Sequence, residues 1–327
     1  MLQQNCMIKA ISLVSGGLDS ILATEIVRGL GVDVVAVNFV MPFGCSRSAD
    51  CCQAQKVDIT GDFIKVLRSP AHGYGSNMNP CIDCKILMLK KAKEMMSLAG
   101  ASFLVTGEVV GQRPMSQMRG MLRHIEKEAR VEDLVLRPLS AGLLPETVAE
   151  KNGWVDRKKL FSISGRSRKE QLKLALKYGI KDFPQPAGGC LLTDPIYANK
   201  IKDLSEHDEL TSEDISLLRL GRYFRLAGRA RLFVGRNEND NQKLFSVKKE
   251  ADVFFRSLPD IPGPSALGRG ESFADPAILE LATRIVARYF SAKDRGKIIK
   301  IEVLYNNVNR TVEVVPLIDE EVKKYLI

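Results

Sequence analysis

Long apolar runs are missing from this chain of 327 residues. No stretch approaches the roughly 18 apolar residues of a membrane-spanning helix. The opening Met1 to Cys6 has neither a basic start nor a cleavable apolar core, so a cytoplasmic protein with no membrane partner is expected. Internal repeats and low-complexity segments are absent, which excludes solenoids and compositionally biased tracts. Histidine is scarce: His72, His124 and His207 are the only three, so few imidazoles are available as metal ligands. Acid is in deficit, with 39 Asp and Glu against 48 Lys and Arg, a net charge of +9. That balance suits a protein that meets a polyanion, although a soluble basic enzyme fits it too. Seven cysteines in a cytoplasmic chain are expected as thiols, thiolates or metal ligands, not disulfides.

What is present is organised around Ser15-Gly16-Gly17-Leu18-Asp19-Ser20. An apolar run at 8–14 precedes it and another follows at 21–27, so the stretch reads as strand, glycine turn, helix. Two glycines let the backbone curl tightly. The helix start offers unpaired N–H groups and the positive end of its dipole, and Ser15 and Ser20 add hydroxyls. The stretch is a phosphate cradle, with a plain structural turn as the alternative. It lacks the Gly-Lys-Ser/Thr ending of a P-loop, so a hydrolytic NTPase of that kind is not the reading. The six residues resemble the pyrophosphate loop (SGGxDS) of the ATP pyrophosphatase superfamily, whose members split ATP at the α-phosphate and leave AMP on a substrate oxygen. The resemblance implies ATP on Ser15, Gly16, Gly17, Leu18, Asp19 and Ser20, with Asp19 holding Mg²⁺ against the phosphates.

Downstream, 34–40 is a β-branched run suited to a buried parallel strand. A helix is expected at 49–60, a short strand at 63–67, and a helix with a Lys-rich solvent side at 84–98. Residues 103–106 read as a strand ending at Gly107, 134–139 as another strand, and 166–178 as a basic helix. This alternation argues for an α/β fold with a doubly wound parallel sheet. Ligands then sit beyond the carboxyl ends of strands, where 15–20 and 107–117 both fall. Between Arg157 and Lys181 nine residues are Lys or Arg, which reads as a solvated helix face or a nucleic-acid-facing surface. The acidic segment 203–214 is read as a linker between a domain at 1–200 and a second, smaller α+β domain at 215–327. There Arg219, Arg222, Arg225, Arg229, Arg231 and Arg236 crowd a stretch without one acid. Strand-like alternation at 247–255, a helix at 276–291 and a strand pair at 298–303 and 311–315 follow.

Cys81 and Cys84 form a C-x-x-C after Pro80, which fixes the turn into a helix. At a helix start both thiols are expected to be acidified toward thiolates. A redox pair, half a zinc site and part of an iron-sulfur site all fit. Cys190 closes Gln185-Pro186-Ala187-Gly188-Gly189-Cys190 and could bring in a third sulfur. Three thiolates leave one iron of a cubane cluster open to an extra sulfide, which suits sulfur transfer. Zinc would call for a fourth ligand; His72 lies near in sequence, but a hydrogen-bonding role is preferred for it. Cys45, Cys51 and Cys52 read as small packed residues, with persulfide shuttling or a second metal as alternatives, and Cys6 has no assigned role.

The stretch Val105-Thr106-Gly107-Glu108-Val109-Val110-Gly111-Gln112-Arg113-Pro114-Met115-Ser116-Gln117 resembles the TGE-x-x-GQ-x-x-SQ of the tRNA 4-thiouridine synthetases (ThiI type), and Val135-Leu136-Arg137-Pro138-Leu139 is similar to the VLRPL that follows there. This resemblance covers about 8–195. It implies an adenine nucleotide alpha hydrolase-like fold in which Gly107, Gln112 and Gln117 line the nucleotide and substrate pocket. Asn79-Pro80-Cys81 resembles the related 2-thiouridylases (MnmA type). Iron-sulfur members use a C-x-x-C and a distant third Cys, which implies a 4Fe-4S cluster on Cys81, Cys84 and Cys190, with zinc as the less favoured metal. The THUMP and rhodanese domains found in relatives are not seen. Residues 232–241, 260–264 and 287–291 resemble the NFACT-R domain of ribosome quality-control proteins, which implies an RNA-contacting module whose preceding arginines reach phosphates.

Together the resemblances imply an AMP-forming tRNA sulfurtransferase: a uridine oxygen attacks the α-phosphorus, then sulfur replaces it, giving 4-thiouridine in preference to 2-thiouridine. Its partners would be tRNA and a sulfur donor, either inorganic sulfide or a cysteine desulfurase persulfide; a homodimer is left open. A persulfide on Cys84 or Cys190 is the cluster-free version. An adenylating ligase or amidotransferase of the same superfamily, or a non-catalytic RNA- or ribosome-binding protein, remains as the alternative.

Overall fold

The apolar run before the glycine turn forms β1 (Lys9–Leu13), and the turn leads into α1 (Leu18–Arg28). This is seen in a computed structural model, which describes residues 7–43, 53–183, 190–258, 261–290 and 297–327. Two compact units divide the chain, 1–193 and 194–327. The first continues with β2 (Asp33–Val40), β3 (Gln55–Asp58), α2 (Thr60–Arg68), α3 (Cys81–Ala99), β4 (Phe103–Thr106), α4 (Arg119–Ala129), β5 (Val135–Leu136), α5 (Val148–Lys151) and α6 (Lys169–Lys177).

The five strands pair in parallel in the order β3-β2-β1-β4-β5. Successive residues of β1 face opposite ways. Ala10 packs with Ala23 and Val27 of α1, whereas Ile11 packs with Ile86, Leu89 and Ala92 of α3. Helices therefore cover both faces, as a doubly wound sheet requires. The chain runs outward from β1 to β3, then returns to the other side of β1 for β4 and β5. That reversal makes the β1/β4 boundary a switch point, where a crevice opens beyond the strand ends. Leu13 and Thr106, the last residues of β1 and β4, are register partners, so the glycine loop and Gly107 leave the sheet side by side.

Two expected elements are exchanged. Residues 60–68 are helical, not a strand, because Ile59, Phe63 and Leu67 lie four apart and are all buried on one helical face. Residues 55–58, expected within a helix, form the edge strand β3, whose exposed Gln55, Lys56 and Asp58 give no apolar alternation. The expected helix also included 49–52, which lie outside the described residues.

The second unit comprises α7 (Pro195–His207), α8 (Ser212–Leu217), β6 (Arg222–Arg225), β7 (Arg231–Val234), α9 (Glu238–Ser246), β8 (Val253–Ser257), β9 (Ala266–Arg269), α10 (Pro276–Ala287), β10 (Ile299–Tyr305), β11 (Val308–Val314) and α11 (Asp319–Val322). Its antiparallel sheet has the order β11-β10-β8-β9-β7-β6, and α10 packs Ala282, Ile285 and Val286 with Val253, Phe255 and Ile301.

The segment 203–214 is not a linker. It carries the end of α7 and the start of α8, and its acids neutralise buried arginines. Arg225 lies 2.7 Å from Asp203 and 2.8 Å from Asp208, and Arg231 lies 3.1 Å from Asp214. Arg269 joins Glu213 and Asp252 at 2.9 and 2.7 Å. Arg225 and Arg231 are thus structural, which corrects the expectation that this arginine-rich stretch as a whole faces phosphates. Arg236 pairs with Asp240 at 2.8 Å, and Arg222 lies over the Tyr289 ring at 4.4 Å. Among the described residues no helix is long and apolar enough to cross a membrane.

Candidate nucleotide and thiol site

The glycine loop is anchored where it leaves the sheet. Val14 N–H donates to Val37 O at 2.8 Å, and Asn38 Nδ2 donates to Val14 O at 2.6 Å. Gly16 then turns at φ +81°. Ser20 N, Ile21 N and Ser20 Oγ all donate to Gly17 O, at 3.0, 3.1 and 2.7 Å. Ser15 Oγ lies 3.4 Å from both Ser20 Oγ and Gly17 N. Gly17 provides no side-chain cap for α1. Ser20 N–H is thus taken by Gly17 O, and the N–H groups of Leu18 and Asp19, which cannot bond within the helix, are the ones offered to an anion.

Two residues from beyond β4 close on this turn. A Cβ on Gly107 would lie 2.4 Å from the Asp19 carbonyl and 2.5 Å from Ser20 N, so only glycine permits the approach. Gln112 Nε2 donates to Asp19 Oδ2 at 2.9 Å. The other carboxylate oxygen, Asp19 Oδ1, is buried without a hydrogen-bond partner. A buried, orphaned carboxylate oxygen beside unpaired N–H groups is what a hard divalent cation bridging to a phosphate needs, so Mg²⁺ fits here. Gln117 is buried on the same loop with its Oε1 unpartnered, and its carbonyl accepts from Gly111 N at 2.8 Å. Arg168, not singled out by sequence, reaches within 4.0 Å of Asp19 Oδ2. Its only signal was membership of the basic stretch before α6.

The thiols sit at the start of α3. Cys84 N–H donates to Pro80 O at 2.8 Å, and the Cys81 thiol donates to Ser116 Oγ at 3.4 Å. Ser116 belongs to the loop that carries Gln112 and Gln117. The Cys190 thiol lies 3.9 Å from Phe43 O. Burial, and then the sulfurs of Cys190 and Cys81, push the Cys84 thiol well up. That overturns the expected acidification of Cys84 by the helix start, because desolvation outweighs the dipole. Cys190 and Cys81 thus act electrostatically on Cys84. Among the described residues, however, no group of three or more His, Cys, Asp or Glu side chains is arranged to hold a metal ion. The thiol-only donor set suits iron and sulfide better than zinc. Cys6, Cys45, Cys51 and Cys52 lie outside the described residues. His72 is hydrogen-bonded to Asp83, inside the C-x-x-C: its backbone N–H and Nδ1 meet that carboxylate at 3.0 and 2.9 Å, and its Nε2 meets His124 Nε2 at 2.9 Å.

A buried ion network, also missed by sequence, ties the two ends together. Glu108 pairs with Lys85, the neighbour of Cys84, and with Arg137 at 3.0 Å; Arg137 also pairs with Glu126. Burial alone would raise the Glu108 carboxyl, but the charges of Lys85 and Arg137 outweigh it and hold it at about 2.

Residues 6–144 match the family model for the thiamine biosynthesis protein ThiI, and residues 221–326 match that for the NFACT protein RNA binding domain. A probable tRNA sulfurtransferase of Methanosarcina mazei is 31% identical over 123 residues. That alignment covers 32% of this chain and 29% of the relative, so the chain spans less than a third of the length of the curated protein it matches. Among solved structures, the C-terminal part of a fibronectin/fibrinogen-binding protein from Streptococcus suis aligns with 82% of this chain and 97% of its own, at 11% identity. The TM-score is 0.29, too low for that likeness to carry an argument.

Proposed function

We propose that this chain is an ATP-dependent tRNA sulfurtransferase, which adenylates a uridine oxygen and replaces it with sulfur. One observation carries the reading. A single loop after β4 touches both ends of the site: Gln112 holds Asp19 of the glycine turn, and four residues on Ser116 meets Cys81.

The triphosphate lies on the N–H groups of the turn and on Ser15 and Ser20. Asp19 Oδ1 would hold Mg²⁺, which screens the phosphate charge when bound. Asp19 and Gln112 orient the nucleotide so that the uridine carbonyl oxygen attacks the α-phosphorus and pyrophosphate departs. The oxygen, now carrying AMP, has become a good leaving group; attack by sulfur at the ring carbon expels AMP. Cys81, Cys84 and Cys190 would hold a 4Fe-4S cluster through their thiolates, and the cluster would supply the sulfur. The cluster-free version keeps the sulfur as a persulfide on Cys84 or Cys190, charged by a cysteine desulfurase; its outer sulfur attacks the ring carbon as AMP leaves, a second thiol of the site cleaves the S–S bond to release the thiolated base, and an external thiol reductant reduces the disulfide left behind. The product is 4-thiouridine, in line with the ThiI match. The second unit contacts tRNA, in line with its RNA-binding family match. Location in the cytoplasm belongs to the same proposal.

The test compares tRNA nucleosides by mass spectrometry from cells with and without the gene. Loss of 4-thiouridine on deletion, restored by the intact gene but not by Asp19→Asn, is the expected result. An unchanged set of thiolated nucleosides would remove the function.

A further inference from the structure

The glycine turn has no lysine, yet the triphosphate it would bind carries more negative charge than one divalent ion and one helix end can offset. None of the six residues of the turn is cationic. The segment before α6 supplies a cation. Residues 163–165 run beside the loop after β4: Val110 and Ser164 form a parallel bridge, and Gly165 N–H donates to Val110 O at 2.8 Å. Gly111 and Gly165 both take positive φ, +75° and +81°, and turn the two segments toward the same target. Gln112 follows the first and Arg168 the second, and both reach one atom, Asp19 Oδ2, at 2.9 and 4.0 Å.

Below Arg168 lies an unsatisfied amide. Gln171 is fully buried and neither its Oε1 nor its Nε2 has a hydrogen-bond partner. It shares the face on which Leu174 and Ala175 pack with Leu18 and Leu22 of α1. Arg168 Nε is likewise buried without a partner. Arg168, the N-cap of α6, and Gln171, three residues on, thus carry an unpaired donor and an unpaired acceptor. Leaving such atoms unmade is unfavourable, and a ligand that reorients the guanidinium relieves it.

We infer that Arg168 is the phosphate-binding cation of the nucleotide site, and that Gln171 is the positioning residue that accepts from Arg168 Nε once a phosphate chain draws the guanidinium away from Asp19. The inference rests on the reading that the glycine turn binds ATP. Arg168 then faces the pyrophosphate portion, where charge builds as the bond to the α-phosphorus breaks.

Calorimetric titration of the full chain with Mg-ATP and with AMP tests this. Wild type should bind both. Arg168→Gln should weaken ATP by about tenfold or more with AMP little changed, and Arg168→Lys should recover part of the loss. Gln171→Leu should weaken ATP less, and should add nothing in the Arg168→Gln background, because the two act as one unit. Unchanged ATP affinity in Arg168→Gln, or equal losses for ATP and AMP, would overturn the inference while leaving the glycine-turn reading in place. Wild-type protein that binds no ATP would overturn both.

Discussion

Gln112 Nε2 donates to Asp19 Oδ2 at 2.9 Å, and this bond fixes the loop after β4 on the first turn of α1. A hydrogen bond to a charged group contributes about 1.5–3 kcal/mol. Gln112→Ala should therefore slow ATP-pyrophosphate exchange, assayed with tRNA present, by roughly 10- to 150-fold if the bond is needed in the adenylation step. Gln112→Glu should do worse, since it sets a second carboxylate against Asp19. Exchange at the wild-type rate in Gln112→Ala would show that this contact does not orient the nucleotide.

Gly107 makes the second close approach. A Cβ there meets the Asp19 carbonyl and Ser20 N, all backbone, at 2.4–2.5 Å, so nothing flexible can yield. Gly107→Ala should lower stability by about 1–3 kcal/mol and impair adenylation with it. Gly120→Ala is the control: it lies in α4 with nothing within 4 Å of the added methyl, so it should stabilise by about 0.5–1 kcal/mol. Urea unfolding of the two variants checks the contrast.

These contacts mark the boundary between what sequence shows and what only folding creates. The strand, glycine turn and helix were legible because β1 and β2 are apolar runs and the glycines between β1 and α1 have no other local use. Edge strand β3 was not, since its exposed Gln55, Lys56 and Asp58 remove the period on which strand reading depends. Asp203 and Asp214 looked like solvated linker residues because their arginines, Arg225 and Arg231, lie further along the chain. Arg168 was hidden for the same reason. Its role follows from the bridge between Val110 and Ser164, which no local pattern announces.

The Glu108 network makes stability depend on acid. The folded carboxyl sits at about 2 against an ordinary 4.5. Its ionised form stabilises the fold fully above pH 4.5, progressively less as pH falls toward 2, and not at all below. The depression corresponds to roughly 3 kcal/mol. Glu126, pushed up by burial, works in the opposite sense, so the comparison with Glu108→Gln isolates the effect. That variant should lose the extra acid sensitivity between pH 4.5 and 2. It should also be about 3–5 kcal/mol less stable at neutral pH, with Lys85 and Arg137 left short of a counter-charge. Urea midpoints measured from pH 2 to 7 give both readings, and parallel curves for the two proteins would refute the assignment.

Cys84 should be the sluggish thiol of this site. Burial and the sulfurs of Cys190 and Cys81 raise it, so its thiolate is scarcer than that of a free cysteine. Pulse alkylation with iodoacetamide, read by mass spectrometry, should label Cys84 at least about tenfold more slowly than a cysteine in the unfolded chain. Cys190→Ala removes one of the sulfurs that raise it and should speed that labelling. Metal binding must then displace a proton from Cys84, so anaerobic loading with iron and sulfide should strengthen as pH rises and protect Cys81, Cys84 and Cys190 together. If the protein takes up no iron and the three thiols label independently of one another, the sulfurs do not form one centre, and the persulfide version of the chemistry replaces the cluster.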